Sequence, residues 1–320
     1  MLLNDFNKDC FISLIFSGAF GNNLFQVATL IAHAEKNSIP FIVGYWSHFN
    51  STTQQWLDRH KQWCETNPMF RPFAVPDSVK LYGKAYNWPN MFPRLPYFHN
   101  SDNTVPSNYN ANRVQDKWSY RIDTGREGVY DPIDVGVGTQ IQGYFFNKEY
   151  WHKQRESVLY FLTFSETFMK KACENIQKTL NTKTTVSLNM RYIDESIPSD
   201  IIDKETVVDD LESFDWVVRA IEYFPEDYVF IVTSNDLKKG IKQLEDRFPN
   251  RTFMPVSGNP GEQMAACSAC DNHIVVNSTF AFWCAYLDKN QPNGVTIYSP
   301  KFKQRHSPNV VPYDEWIELD

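Results

Sequence analysis

His273-Ile274-Val275-Val276-Asn277-Ser278-Thr279-Phe280-Ala281-Phe282-Trp283-Cys284-Ala285-Tyr286-Leu287 is the stretch that decides the fold. Its apolar start, Ile274 to Val276, predicts a buried strand, and the run from Phe280 to Leu287 predicts a helix. Only a few small polar residues separate the two, so the segment reads as strand, tight turn, helix. Such a turn aims the free N–H groups of a helix start, together with two hydroxyls, past the edge of a sheet. That arrangement is a seat for a phosphate. Asn277, Ser278 and Thr279 are therefore candidate ligand-binding residues.

Working outward, the same alternation recurs through the second half of the chain. Strands are expected at Val186-Ser187-Leu188, Val229 to Val232, Thr252-Phe253-Met254 and Val295 to Tyr298. Between them, helices are marked by Leu211, Phe214, Val218 and Ile221, by Leu237 to Phe248, and by Gln263 to Ala269. Repeated βα units imply an α/β fold with a parallel sheet wrapped by helices. Ligands then belong at the carboxyl ends of the strands. Two further strand ends are polar: Asn189-Met190-Arg191-Tyr192-Ile193-Asp194 and Thr233-Ser234-Asn235-Asp236. An arginine at such a place can bridge two phosphate oxygens in a fork. A loop-stapling ion pair between Arg191 and Asp194 is the competing reading, and the serine–threonine turn on another strand favours the phosphate.

The first half opens with a second βα unit. Phe11 to Phe16 predicts a strand, Gly18-Ala19-Phe20-Gly21-Asn22-Asn23 a glycine-bearing turn, and Leu24, Phe25, Ala28, Ile31 and Ala32 a helix face. Phe41-Ile42-Val43 begins the next strand. The two glycines are three apart, which is not the dinucleotide fingerprint. They let another molecule, or the facing half of the chain, approach the backbone closely. Asn22 can cap the helix or reach across a cleft. From about 56 to 130 the periodicity dissolves into prolines, asparagines and aromatic rings, the pattern of a loop-rich insertion folded over this half. Gln140 to Tyr150 then reads as a strand leading into a helix.

At 320 residues the chain is too long for one ordinary core. Two domains are expected, at 1–155 and 156–320. A net charge of −7 argues against a general nucleic-acid binder. The six cysteines are scattered, as for reduced thiols, and Cys267 and Cys270 form a CxxC with no second pair to complete a zinc site. No apolar run reaches the length of a membrane span.

The ordered motifs resemble those of the α-1,2-fucosyltransferases of glycosyltransferase family 11, and more distantly the wider α-1,2/α-1,6 and protein O-fucosyltransferase group. Gly18-Ala19-Phe20-Gly21-Asn22-Asn23-Leu24-Phe25-Gln26 resembles the family's GGLGNQMFQ-like opening. Gly143-Tyr144-Phe145-Phe146-Asn147-Lys148-Glu149-Tyr150 resembles its GY-F-x-S-E-K-Y-like segment. Thr233 to Asp236 resembles F-S-D-D, and Asn277 to Leu287 resembles NSTFSWWGAWL closely. The donor motif H-x-R-R-x-D is matched in part: Asn189 stands at its histidine and Tyr192 at its second arginine. Lys301, Lys303 and Arg305 are the candidates to restore the lost charge.

The resemblance implies a GT-B architecture, two Rossmann-like domains facing across a cleft, with the C-terminal one holding a GDP-sugar and no metal. It implies an inverting glycosyltransferase that moves L-fucose from GDP-fucose to a glycan hydroxyl. In that scheme Arg191, Ser278 and Thr279 hold the diphosphate, aided by Asn189 and Asn277. Asn235 and Asp236 contact ribose or guanine, Gly21 binds the donor from the facing domain, and Asn22, catalytic with Arg191, binds or orients donor or acceptor near the anomeric carbon. Asp194, which closes the donor motif, is the candidate catalytic carboxylate, and a solvated loop position is the alternative for it. Departures at Asn189 and Tyr192 keep a second expectation open, a catalytically silent protein of this fold that binds a nucleotide sugar or glycan. With the first motif starting at Gly18, a soluble cytoplasmic enzyme is expected.

Overall fold

A computed structural model describes residues 12–15, 20–41, 43–44, 88–95, 97–98, 112–115, 139–192 and 212–320. In the first half, β1 (Ser13–Ile15) leads to α1 (Phe20–Asn37) and β2 (Val43–Gly44), followed by the short α2 (Trp88–Met91). Strands β3 (Tyr97–Phe98), β4 (Asn112–Gln115) and β5 (Thr139–Gln142) follow. Strands β1, β5 and β4 form one parallel sheet in that order, and β2 pairs with β3 in parallel. The segment expected to be a loop-rich insertion thus supplies strands. Two to four residues such as Asn112-Arg113-Val114-Gln115 are too short to show a period of two.

Two 3-10 turns, Lys148–Tyr150 and His152–Gln154, replace the single helix expected after Gln140. The turn is closed by Trp151, whose Nε1–H donates to the carbonyl of Phe145 (3.0 Å). Phe145 sits at φ 53°, a left-handed conformation unusual for a bulky residue. Helices α3 (Arg155–Phe161), α4 (Glu166–Cys173) and α5 (Gln177–Thr182) then carry the chain into the second half.

There the strands are β6 (Thr185–Met190), β7 (Val229–Ser234), β8 (Thr252–Pro255), β9 (Asn272–Val275), β10 (Thr296–Tyr298) and β11 (Ile317–Glu318). The helices between them are α6 (Phe214–Glu222), α7 (Leu237–Arg247), α8 (Pro260–Cys267), α9 (Thr279–Tyr286) and α10 (Pro300–His306). The expected strands and helices of this half are present with ends displaced by a few residues, and Leu211, counted in the first helix face, lies outside the described residues. Local chemistry sets those ends. Ser213 accepts from the N–H of Trp216 and starts α6, while Asn259 and Glu262 form a reciprocal capping box with Pro260 at the first position of α8.

All six strands run parallel in the order β11-β10-β9-β6-β7-β8. Counted from β6, that is strand order 6-5-4-1-2-3, the doubly wound pattern. Its direction of winding reverses between β6 and β9, and the crevice outside those two carboxyl ends is where such sheets bind ligands.

The two halves share one continuous cluster of buried apolar side chains. Helix α9 is apolar on every face, and Ala281 to Tyr286 are buried throughout, as expected of a helix with no solvent side. Phe25 of α1 stacks on Phe282 (4.9 Å) and meets Trp283 edge-on (5.0 Å), so α1 and α9 are joined by rings. Among the described residues no helix is long and apolar enough to cross a membrane.

Three histidines, His33 buried and His152 and His306 half-buried, are held neutral. Burial, reinforced by Lys36, lowers His33 to about 4. Burial lowers His152 to about 4 and His306 to about 3. In the unfolded chain each titrates near its ordinary value of about 6.5. The unfolded state therefore takes up protons below that pH that the native state refuses. Stability is full above about pH 6.5 and falls as the pH drops toward about 4, at up to about 1.4 kcal/mol per pH unit for the buried His33 and less for the half-buried His152 and His306, which solvent screens. The urea midpoint at about pH 5 should lie well below that at about pH 7.5, and equal midpoints would contradict this account.

Candidate nucleotide site at the sheet crossover

A cavity of about 300 Å³ lies where the winding of the large sheet reverses. Asn189 and Arg191 come to it from the end of β6, Asn277 from the end of β9, and Lys239 from α7. β6 and β9 are neighbours, with Leu188 opposite Ile274. Arg191 and the Asn277-Ser278-Thr279 turn thus leave the sheet at the same edge, side by side.

Arg191 is exposed and, among the described residues, makes no hydrogen bond or ion pair. Asp194, the ion-pair partner weighed for it, lies outside the described residues, as do Gly18 and Ala19. Tyr192 follows a different course. Its N–H donates to Asn235 Oδ1 (2.8 Å), and Asn235 Nδ2 donates back to its carbonyl (2.9 Å). The Tyr192 hydroxyl donates to Gln243 Oε1 (2.7 Å), and the ring lies against Gly240 of α7. Burial, then Asp236, push this phenol up to about 12, so it remains a donor at neutral pH. Asn235, expected on ribose or guanine, holds the backbone that presents Arg191. Asp236, expected beside it, caps α7 by accepting from the N–H of Lys239 (3.1 Å). Both placements follow from the strand end: a side chain directly beyond β7 lies within reach of the neighbouring loop and of the helix start.

Asn189 turns sideways, and its Nδ2 donates to Thr233 Oγ1 of β7 (3.0 Å). The Ser278 hydroxyl caps its own helix by accepting from Ala281 N–H (3.5 Å). Thr279 Oγ1 donates to Asn22 Oδ1 (2.9 Å), a bond between residues 257 positions apart. Asn22 therefore reaches across to the other half, one of the two roles its position allowed. Gly21 is the point of closest approach: a Cβ there would stand 2.6 Å from Thr279 Oγ1 and 2.7 Å from Phe280 N. The start of α9 is thus packed directly against the backbone of α1, and of the turn itself only Asn277 reaches the cavity wall.

Two residues of the cavity carry no signal in the sequence. Lys239 places its ammonium 4.9 Å from the centre of the Tyr192 ring. Glu212 also lines the wall, and one of its carboxylate oxygens is shut from solvent with no hydrogen-bond partner among the described residues. Both sit on or beside helices whose register against the sheet cannot be read from strand-end motifs. Of the lysines and arginine expected to add charge, Lys303 is paired with Glu318 (2.7 Å), and none of Lys301, Lys303 and Arg305 lines the cavity.

A Ser–His–Asp row elsewhere has a structural role. Ser187 Oγ lies 2.8 Å from His273 Nδ1, and His273 Nε2 lies 3.3 Å from Asp288 Oδ2. His273 is completely buried in mid-strand, so no substrate reaches the serine as a triad requires. Cys267 and Cys270 are likewise fully buried. Among the described residues no group of three or more His, Cys, Asp or Glu side chains is placed to hold a metal ion.

The architecture is that of the GT-B glycosyltransferases. The chain superposes on the fucosyltransferase NodZ from Bradyrhizobium with a TM-score of 0.50 over 86% of its length and 92% of NodZ, at 11% identity. The family profile described as "Glycosyl transferase family 11" matches residues 120–320, and the chain belongs to that family. The curated relatives it matches include galactoside alpha-(1,2)-fucosyltransferase 1 of Mus musculus, 26% identical over 33% of this chain and 30% of the relative. They also include the O-antigen biosynthesis glycosyltransferase WbnK of Escherichia coli, 27% identical over 48% of each chain. Galactoside alpha-(1,2)-fucosyltransferase 2 of Gorilla gorilla gorilla is 23% identical over 64% of this chain and 60% of its own length. The chain therefore spans less than two thirds of the length of each of these relatives.

Proposed function

We propose that this protein is an inverting glycosyltransferase that moves L-fucose from GDP-fucose to a hydroxyl of a glycan acceptor, in an α-1,2 linkage. The observation that carries the reading is the convergence of Arg191 and Asn277 on one cavity between β6 and β9. Family membership supports glycosyl transfer, and the names of the curated relatives support fucose and the linkage. In this assignment residues 156–320 form the donor domain and 1–155 the acceptor domain.

The reaction breaks the bond between the anomeric carbon and the β-phosphate oxygen while an acceptor hydroxyl oxygen attacks from the opposite face and releases its proton to solvent, with GDP as the leaving group. Negative charge grows on the leaving phosphate, and a donor already aimed at it lowers the barrier without reorganising. Arg191, exposed on the cavity and uncommitted among the described residues, has the fork geometry for two phosphate oxygens. Asn235 holds the Tyr192 backbone and so fixes where that guanidinium starts. Glu212 lines the same wall, and a carboxylate oxygen facing the cavity can accept an N–H donor from a purine edge. Gly21 and Asn22 bring the acceptor half against the start of α9.

A second reading is favoured by one contact. The Asn189 amide is spent on Thr233 (3.0 Å), at the position where the family motif has a histidine. A silent binder of nucleotide sugars would follow if that histidine were indispensable. Incubation with GDP-fucose and a panel of glycan acceptors, read by mass spectrometry, separates the two. Fucosylated product is expected. Nucleotide binding with neither transfer nor donor hydrolysis would establish the silent protein instead.

A further inference from the structure

The cavity holds a second cation that no strand-end motif announces. Lys239 lies in the first turn of α7, one strand away from Arg191, and is exposed. Its ammonium stands over the face of Tyr192, 4.9 Å from the ring centre, and both residues line the same wall as Arg191. Tyr192 is anchored for this purpose at three points: its N–H and carbonyl by Asn235, and its hydroxyl by Gln243. A ring held so firmly gives a long, flexible lysine a defined resting place, which lowers the entropy it loses on meeting a ligand.

Resting on the donor-site reading above, we propose that Lys239 supplies the second positive charge for the diphosphate, with Tyr192 as its positioning residue. The family's second arginine is replaced here by Tyr192, which removes a cation from the end of β6. The geometry returns one from α7, at the same cavity and beside that very residue. Arg191 then serves as the fork and Lys239 as a point charge. A donor with one phosphate needs only the first, and a donor with two engages both. Lys239 is therefore a determinant of diphosphate over monophosphate.

The test is calorimetric titration of wild type, Lys239→Met, Lys239→Arg and Lys242→Met with GDP, GMP, UDP and UMP. Lys242 is an exposed lysine on the same helix that does not line the cavity, and it controls for general charge. The diphosphate-to-monophosphate affinity ratio is read on whichever base wild type binds. Losing one charge-assisted contact should lower that ratio by about tenfold or more in Lys239→Met, while Lys239→Arg restores most of it and Lys242→Met leaves it unchanged. An unchanged ratio in Lys239→Met overturns the assignment of Lys239 while leaving the nucleotide reading standing. A wild type that binds none of the four nucleotides overturns both.

Discussion

Arg191→Ala should lower kcat/KM for fucosyl transfer by about a hundredfold or more, since one preorganised donor to a developing oxyanion is worth about 3–4 kcal/mol in a desolvated site. The fold should be untouched. Arg191 is exposed and has no hydrogen-bond or ion-pair partner among the described residues, so its truncation strands no group among them. A urea midpoint matching wild type, alongside collapsed turnover, is the expected pair of results. A variant that folds and keeps its kcat/KM would remove Arg191 from the phosphate clamp. A variant that loses both activity and stability would identify it as a structural staple. Lysine at the same position should recover only part of the rate, because an ammonium cannot reproduce the two-pronged contact.

Gly21→Ala carries the largest expected effect on stability. The added Cβ meets Thr279 Oγ1 at 2.6 Å, and Phe280 N and the carbonyl carbon of Thr279 at 2.7 Å. Two of these three atoms are backbone, so no side-chain rotation relieves the clash and α1 must shift on α9. Overpacking of this kind, together with loss of the Thr279–Asn22 hydrogen bond, should cost about 2–4 kcal/mol. Chemical denaturation measures it directly. A loss below about 0.5 kcal/mol, the scatter of ordinary surface changes, would show that the two helices are not packed as described.

The sequence revealed features that are local. A strand end, a hydroxyl-capped helix start and an arginine directly after its strand are each contained in a handful of consecutive positions. For that reason Arg191 and Asn277 could be named without coordinates, and the large parallel sheet with them. Gly21 was legible as a site of close approach, whereas its partner Thr279 lies 258 positions away, and only the fold brings them together. Lys239 and Glu212 were invisible for another reason. A charged residue on an amphipathic helix reads as solvated, and which turn overhangs the sheet edge depends on how the helix seats on its strands. Ser278 and Thr279 have the chemistry of phosphate ligands, and in the structure one caps α9 while the other bonds Asn22. In the first half, strands of two to four residues, such as Val43–Gly44 and Asn112–Gln115, are too brief for alternation to show.

The account stands on the claim that the diphosphate of the donor lies at the crossover between β6 and β9. A crystal structure of the protein soaked with GDP addresses this most directly. The expected result is a diphosphate within hydrogen-bonding distance of the Arg191 guanidinium, in the cavity walled by Asn277. GDP bound elsewhere on the molecule, with that crevice holding only solvent, would contradict it.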